Sequence, residues 1–215
     1  MMMRAWLMLP LALTACGPRE AELPADPIER AATCGVVAAA QARRASGNVE
    51  AKLTLEQQGR ILHFALLAGA EGGSFDKTRA AGVVNAMPRL GDKVTQGKWD
   101  RLIPQCETAF SATKAEAVKL PSDRLEAQAG CQDLAEFFTT AMRQSEADYV
   151  ERIRAYDQMR RELDPQLGTT LRSRGLSQKQ GEAARDKALA AIVQLGSPVA
   201  VLDACAKRFG AEQDR

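Results

Sequence analysis

Three observations predict an all-α fold made by tandem duplication. The stretch Leu23-Pro24-Ala25-Asp26-Pro27-Ile28-Glu29-Arg30-Ala31-Ala32-Thr33-Cys34 returns 97 residues later as Leu120-Pro121-Ser122-Asp123-Arg124-Leu125-Glu126-Ala127-Gln128-Ala129-Gly130-Cys131, with Leu, Pro, Asp, Glu, Ala and Cys in register. A second cysteine follows in each half, at Cys106 and Cys205. No segment alternates with period two between turn signals, while Ala, Gln, Arg, Glu and Leu are abundant, so the chain favours helix over strand. The expected architecture is two copies of a roughly four-helix unit, each closed by one disulfide.

Each element can be read in turn. The repeated stretch is a helix start: Asp26 caps, Pro27 takes the first helical position and Glu29 lies three residues past the cap, and Asp123 with Glu126 repeats that chemistry. Helix one is expected to run to Ala45 and stop at Ser46-Gly47-Asn48. Its counterpart runs from Arg124 to about Arg143, with Cys131, Leu134, Phe138 and Met142 on one face. Helix two spans Asn48 to Ala70, with Thr54 and Gln57 as an internal cap and Gly69, Gly72 and Gly73 at its end. Its counterpart begins at Ser145, carries Asp148, Tyr149, Ile153, Tyr156 and Leu163, and is expected to stop at Asp164-Pro165.

Helix three runs from Phe75 to Val94, with Ser74 as cap and a kink at Pro88. Ser177 to Leu195 takes its place in the second copy. There the offset becomes 99, matching Leu90, Val94 and Gly97 to Leu189, Val193 and Gly196, so two residues are gained in the loop expected after Pro165. The last helix holds the second cysteine: Leu102, Ile103, Cys106 and Phe110 match Val201, Leu202, Cys205 and Phe209. Pro104 shortens its first version. These elements divide the chain into a leader at 1–15, a tether at 16–25, repeat one at 26–111, a polar linker at 112–122, repeat two at 123–211 and a tail at 212–215.

Composition sets limits on function. Hydrophobic residues at 46% and charged residues at 26% place the chain among globular proteins. Lys and Arg number 29 against 27 Asp and Glu. Removing a leader that contains Arg4 leaves 28 against 27, a net charge of +1 that gives no bulk drive toward nucleic acid.

The leader reads as an address. Met1-Met2-Met3-Arg4 is a short basic region, and Ala5 to Leu13 is an apolar run too short for a permanent span, which needs about 20 residues. Leu13-Thr14-Ala15-Cys16 follows and resembles the lipobox of bacterial lipoproteins. The resemblance implies a diacylglycerol on the Cys16 thiol, cleavage before Cys16 and acylation, palmitate included, of the new amine. It implies export and a lipid anchor whose multiple chains hold stably to a bilayer. Gly17 stands where an Asp commonly signals inner-membrane retention in that family, which favours the outer membrane facing the periplasm.

With Cys16 set aside, four cysteines remain, and export places them where disulfides persist. Four cysteines allow three pairings. The duplication gives each copy one early and one late cysteine, and selects Cys34–Cys106 and Cys131–Cys205. A zinc or redox site does not fit: there is no C-x-x-C, and His63 is the only histidine.

No nucleophile elbow, phosphate loop, dinucleotide fingerprint or calcium loop occurs. The two S-x-x-K matches, Ser74 to Lys77 and Ser111 to Lys114, lack the partner motifs that penicillin-recognising enzymes need. His63 sits in an apolar helix with no nucleophile beside it and is expected to be structural or at the surface. The chain is therefore expected to be non-catalytic, with no metal and no cofactor. The most distinctive polar surface is the second copy's helix two, with Tyr149, Arg152, Tyr156 and Arg160 as a possible binding surface; a solvated, salt-bridged face is the plainer account of its arginines. The expected role is an interaction or structural module of the cell envelope whose partner is a periplasmic protein or envelope component. The alternative is a helical protein that binds a small ligand or anionic lipid. Replacing Cys16 by Ser is expected to abolish palmitate labelling and to release the chain from the detergent phase into the aqueous phase. Retained label in that variant would remove the lipoprotein assignment.

Overall fold

The two repeated aspartates open the two halves in the same way. Asp26 and Asp123 share an extended backbone, at φ −63°, ψ 127° and φ −63°, ψ 125°. Each Oδ1 accepts the backbone N–H three residues on, from Glu29 at 2.8 Å and from Glu126 at 2.9 Å. That satisfies one of the orphan donors of a helix start. The computed structural model describes residues 22–48, 51–115, 117–143 and 146–210, with backbone alone at 146–148. The lipobox at 13–16, the helix start expected at Ser145 and the tail at 212–215 lie outside the described residues.

Eight α-helices form among them: α1 (Pro27–Ser46), α2 (Leu55–Gly69), α3 (Lys77–Thr95), α4 (Ile103–Ala109), α5 (Arg124–Met142), α6 (Glu146–Ser173), α7 (Gln178–Ile192) and α8 (Pro198–Phe209). Single 3-10 turns occupy Trp99–Leu102 and Ser111–Lys114, and no strand occurs among the described residues. The all-α duplicated plan is the observed one, with α1 to α4 repeated as α5 to α8.

Local chemistry moves three of the expected boundaries. Helix two of the first half begins at Leu55 rather than Asn48. Thr54 is its N-cap: Gln57 N–H donates to Thr54 Oγ1 at 3.3 Å, and Thr54 N–H donates to Gln57 Oε1 at 2.8 Å. Helix three is capped by Asp76 rather than Ser74, through Arg79 N–H at 3.0 Å, and continues through Pro88. The counterpart of helix two does not stop at Asp164-Pro165; α6 continues to Ser173, and the residues after Pro165 are helical rather than a loop.

Tertiary packing explains that continuation. Leu167 is 2% exposed against Leu125, Ala129 and Ala188. Gln128, fully buried in α5, donates to Gln166 Oε1 at 3.1 Å and accepts from Thr170 Oγ1 at 3.0 Å. Burying a leucine side chain is worth roughly 2 kcal/mol, and the buried amide holds both of its partners beyond the proline. Together they offset much of the roughly 3 kcal/mol that an interior proline costs. Pro104 acts differently. At the second position of α4 it cannot continue a helix begun at Trp99, so the first half has a 3-10 turn followed by a short helix where the second has the twelve-residue α8.

The two halves share one core. Its buried residues include Cys34, Leu62, Phe64 and Leu66 from the first half, and Leu134, Phe138, Tyr156, Ile192 and Leu202 from the second. Within the first half α1 packs on α2 and α3; within the second α5 packs on α6, α7 and α8. The halves join where α2 lies against α8 and α7. Gly59 permits that approach, because a Cβ there would stand 2.6 Å from Val199 Cγ2. Gly130 permits α5 to approach α7, where a Cβ would be 3.0 Å from the Ala188 carbonyl oxygen.

The disulfides are Cys34–Cys106 and Cys131–Cys205, one in each half, with Cα atoms 5.4 Å and 5.7 Å apart. Each ties the first helix of its half to the last. Restricting loops of 72 and 74 residues in the unfolded chain stabilises by about 4 kcal/mol each. Replacing Cys131 and Cys205 together by alanine is expected to lower the unfolding free energy in urea by about that amount. A loss below about 1 kcal/mol would mean that packing alone holds the second half.

Candidate binding groove between the two halves

The helix that carried the expected binding surface turns its polar groups inward. Tyr156 was expected at the surface; it is 1% exposed and packs edge-to-face on Phe138, with its hydroxyl donating to Asp203 Oδ1 at 2.5 Å. Burial, and then the Asp203 carboxylate, raise the phenol's pKa. Tyr149 donates its hydroxyl to the Leu53 carbonyl of the first half. Arg152 bridges Glu56 on α2 and Asp203 on α8, the latter at 2.7 Å. Burial works against the Arg152 charge, but Glu56, Tyr156 and Asp203 outweigh it and raise its pKa. The Arg152 hydrogen bond holds the Glu56 carboxyl below its ordinary range. Arg160 bonds Asp157 through Nε at 3.0 Å and Nη2 at 2.9 Å. Tyr149 and Arg152 thus join the halves, Tyr156 is tied within the second half, and Arg160 lines a cleft.

His63 lies at the same junction. It is fully buried, and its Nε2 is 2.7 Å from the carbonyl oxygen of Val193, the residue that caps the C-terminus of α7. A carbonyl only accepts, so Nε2 carries the proton, and one of the carbonyls a helix end leaves orphaned is satisfied. Nδ1 is then an acceptor with no partner. Desolvation lowers the pKa from 6.5 to about 4, against the opposing effect of the Val193 carbonyl. The only histidine is structural and neutral.

The open site lies elsewhere, along the seam where α3 of the first half faces α5 of the second. A groove of about 280 Å³ runs there, with Ala81, Val84, Phe137, Ala141 and Leu189 among its walls. Phe137 meets Phe75 edge-to-face at 5.9 Å, and Phe75 N–H donates to the Asp186 carbonyl at 3.1 Å, so the loop before α3 is fixed to α7. The groove therefore has a set shape. Its apolar walls come from residue doublets. Val83 and Phe138 enter the core, while their neighbours Val84 and Phe137, off the buried stripe, are only partly covered.

At one end the groove opens into a polar cleft that shares Phe75, Lys77, Asp133 and Glu136 with it. Asp133 is 5% exposed and takes both Nε (3.2 Å) and Nη2 of Arg185. Asp133 is the main cause of the raised pKa of Arg185, with Glu136 and Asp164 adding to it against desolvation. A buried charge is tolerated when paired in this bidentate way. Beside it, Gln132 donates Nε2 to Asp164 Oδ1 at 2.8 Å. None of these residues stood out in the sequence. The available signal was the pair of doublets, Val83-Val84 and Phe137-Phe138, each of which puts an apolar side chain off its own stripe.

The His63 environment has a measurable consequence. In the unfolded chain the imidazole takes a proton near pH 6.5, in the folded chain near 4. Between those values the unfolded state binds more protons, so stability is present above pH 6.5 and is lost as pH falls toward 4. The shift corresponds to about 3 kcal/mol. His63→Gln keeps an N–H donor for Val193 without the titration. The stability difference between wild type and this variant is expected to shift by about that amount between pH 7 and pH 4 in denaturant unfolding. A difference that stays constant across the range would contradict the burial argument.

No protein-family model matches the chain, and neither does any curated protein or solved structure.

Proposed function

We propose that this chain is an exported, lipid-anchored and non-catalytic interaction module of the cell envelope, held at the periplasmic face of the outer membrane through acylated Cys16. A periplasmic protein docks in the groove between the halves. The observation that carries this reading is the apolar groove between α3 and α5, walled by Val84 and Phe137 and open at the surface. Partly exposed apolar side chains gathered in a concave site mark interaction surfaces, whereas singly scattered ones do not. Two features support a fixed docking platform rather than a catalytic site. His63 is buried and occupied by the Val193 carbonyl. The charged outer helix α6 pairs its arginines with carboxylates, including Arg161 with Asp157 and Arg154 with Glu151. The anionic-lipid alternative has less support, because those arginines are already engaged and carboxylates line the cleft. A small apolar ligand remains the competing occupant, since about 280 Å³ is close to the lower bound of ligand pockets.

The test is site-specific photo-crosslinking of the full chain in native envelopes. A photoreactive residue at Ala81 or Thr140, both exposed on the groove wall, is expected to give a discrete protein adduct. The same probe at Lys179, exposed and away from the groove, is expected to give none. Adducts to lipid or small molecules only, or equal adducts from all three positions, would remove the docking reading.

A further inference from the structure

The groove and the acidic cleft are contiguous, and their chemistry is complementary to one kind of partner. Seven carboxylates and four cations line the cleft. The cations are largely spent. Arg79 serves Glu71 and Asp76, Arg185 serves Asp133, and Arg160 serves Asp157. Among the described residues Glu136, Asp164, Glu182 and Asp186 form no ion pair, so the cleft keeps an excess of negative charge although the whole chain is close to neutral.

A second observation in the cleft wall points to a donor-bearing ligand. Gln132 is 3% exposed, and its Oε1 has no hydrogen-bond partner while its Nε2 is committed to Asp164. A buried acceptor left unmet is costly, and a native structure rarely keeps one without a use. No group of three or more His, Cys, Asp or Glu among the described residues is placed to hold a metal ion. A guanidinium or ammonium supplies the missing donors and the missing positive charge together.

The apolar side gives the shape of the partner. Lys77, Ala81 and Val84 line the groove from α3 at spacings of four and three, which makes it two helical turns, or about 10 Å, long. Opposite them Phe137 and Ala141, four residues apart, line it from α5. A groove between two helices with apolar walls along its length suits an amphipathic helix laid into it.

We infer that the groove and the cleft form one docking site for an amphipathic helical segment of a partner protein, whose apolar face covers Val84 and Phe137 and whose arginine or lysine enters beside Glu136 and Gln132. This inference rests on the docking reading above and names the class of segment that docks. Rim charge of this kind steers encounter and excludes acidic competitors, while the apolar contacts carry affinity.

The probe is a synthetic fourteen-residue helical peptide of Ala, Leu and Arg with its leucines on one face, compared with the same peptide carrying Glu for Arg. Binding is measured to the full lipidated chain in phosphatidylcholine nanodiscs, with empty nanodiscs subtracted. The Arg peptide is expected to bind at least tenfold tighter than the Glu peptide. Glu136→Lys and Val84→Gln, both changes at side chains outside the sealed core, are each expected to weaken it at least tenfold, with melting temperatures near wild type confirming the fold. Gln132→Met, which removes the unmet oxygen at similar volume, is expected to weaken it several-fold. Equal binding of the two peptides, or binding indifferent to Glu136→Lys, overturns the inference. If the envelope crosslinks persist while the Arg peptide fails to bind, the docking reading stands and this class of partner is wrong. If both fail, the docking reading falls with it.

Discussion

The C-terminal half of helix α2 must be buried on every side, and the remaining architecture answers to that demand. From Leu62 to Gly69 each of its residues is buried, so that half has no solvent face, while Glu56 and Arg60 of the first turns are exposed. A helix that is apolar all round belongs inside a larger core. The first half supplies α1 and α3 to two of its sides. Four helices, one of them only seven residues long, leave the rest of α2 uncovered. The second half closes it with α7 and α8, at the close approach of Gly59 to Val199. His63, the one ionisable group in that run, is neutral there and spends its proton on the end of α7. The duplicated unit therefore folds as one core, and α3 and α5 line a groove at the seam of the two halves.

The disulfides lie within this core, one in each half. Both early cysteines are fully buried in the first helix of their half, two turns past the aspartate cap, and both late ones sit in the last helix. Alanine fills much of the stripes beside them, as Ala31, Ala32, Ala127 and Ala129 show. Alanines bring helices close but bury little area each, so a given length of helix contributes less hydrophobic stabilisation than a leucine-rich one. Covalent closure offsets that shortfall.

Much of the fold was legible because its signals are local. The caps at Asp26 and Asp123, the Gly47 stop and the paired cysteines each depend on a few adjacent residues or on the repeat itself. The misses came where distant partners decide. Pro165 reads as a stop, yet Gln128, 38 residues away, clasps Gln166, and Leu167 is buried beyond it. Ser74 reads as the cap of helix three, yet the helix starts two residues later and Asp76, next to its first turn, takes that place. Tyr156 looks like surface within a charged helix, and only the position of Asp203 on α8 shows that its hydroxyl is satisfied inside. The groove was not legible at all, because its walls come from two halves and its charge is a property of the assembled cleft. The unbroken run from Ile61 to Gly69 was the available clue that the copies fuse, since no amphipathic pattern fits it.

The groove also depends on the copies having diverged. Helix two of the first half is buried on all sides from Leu62 to Gly69, while its counterpart α6 is an outer helix whose exposed face carries arginines paired to carboxylates. Two helices so different cannot play equivalent parts across a symmetric interface. The joint is accordingly one-sided: α2 crosses to α7 and α8, and Arg152 reaches back from α6 to Glu56. Duplication provided two similar caps, two similar clamps and a ready supply of helices. Divergence of the second helix placed one of them in the core and left a seam, between α3 and α5, where apolar side chains and unpaired carboxylates meet at the surface.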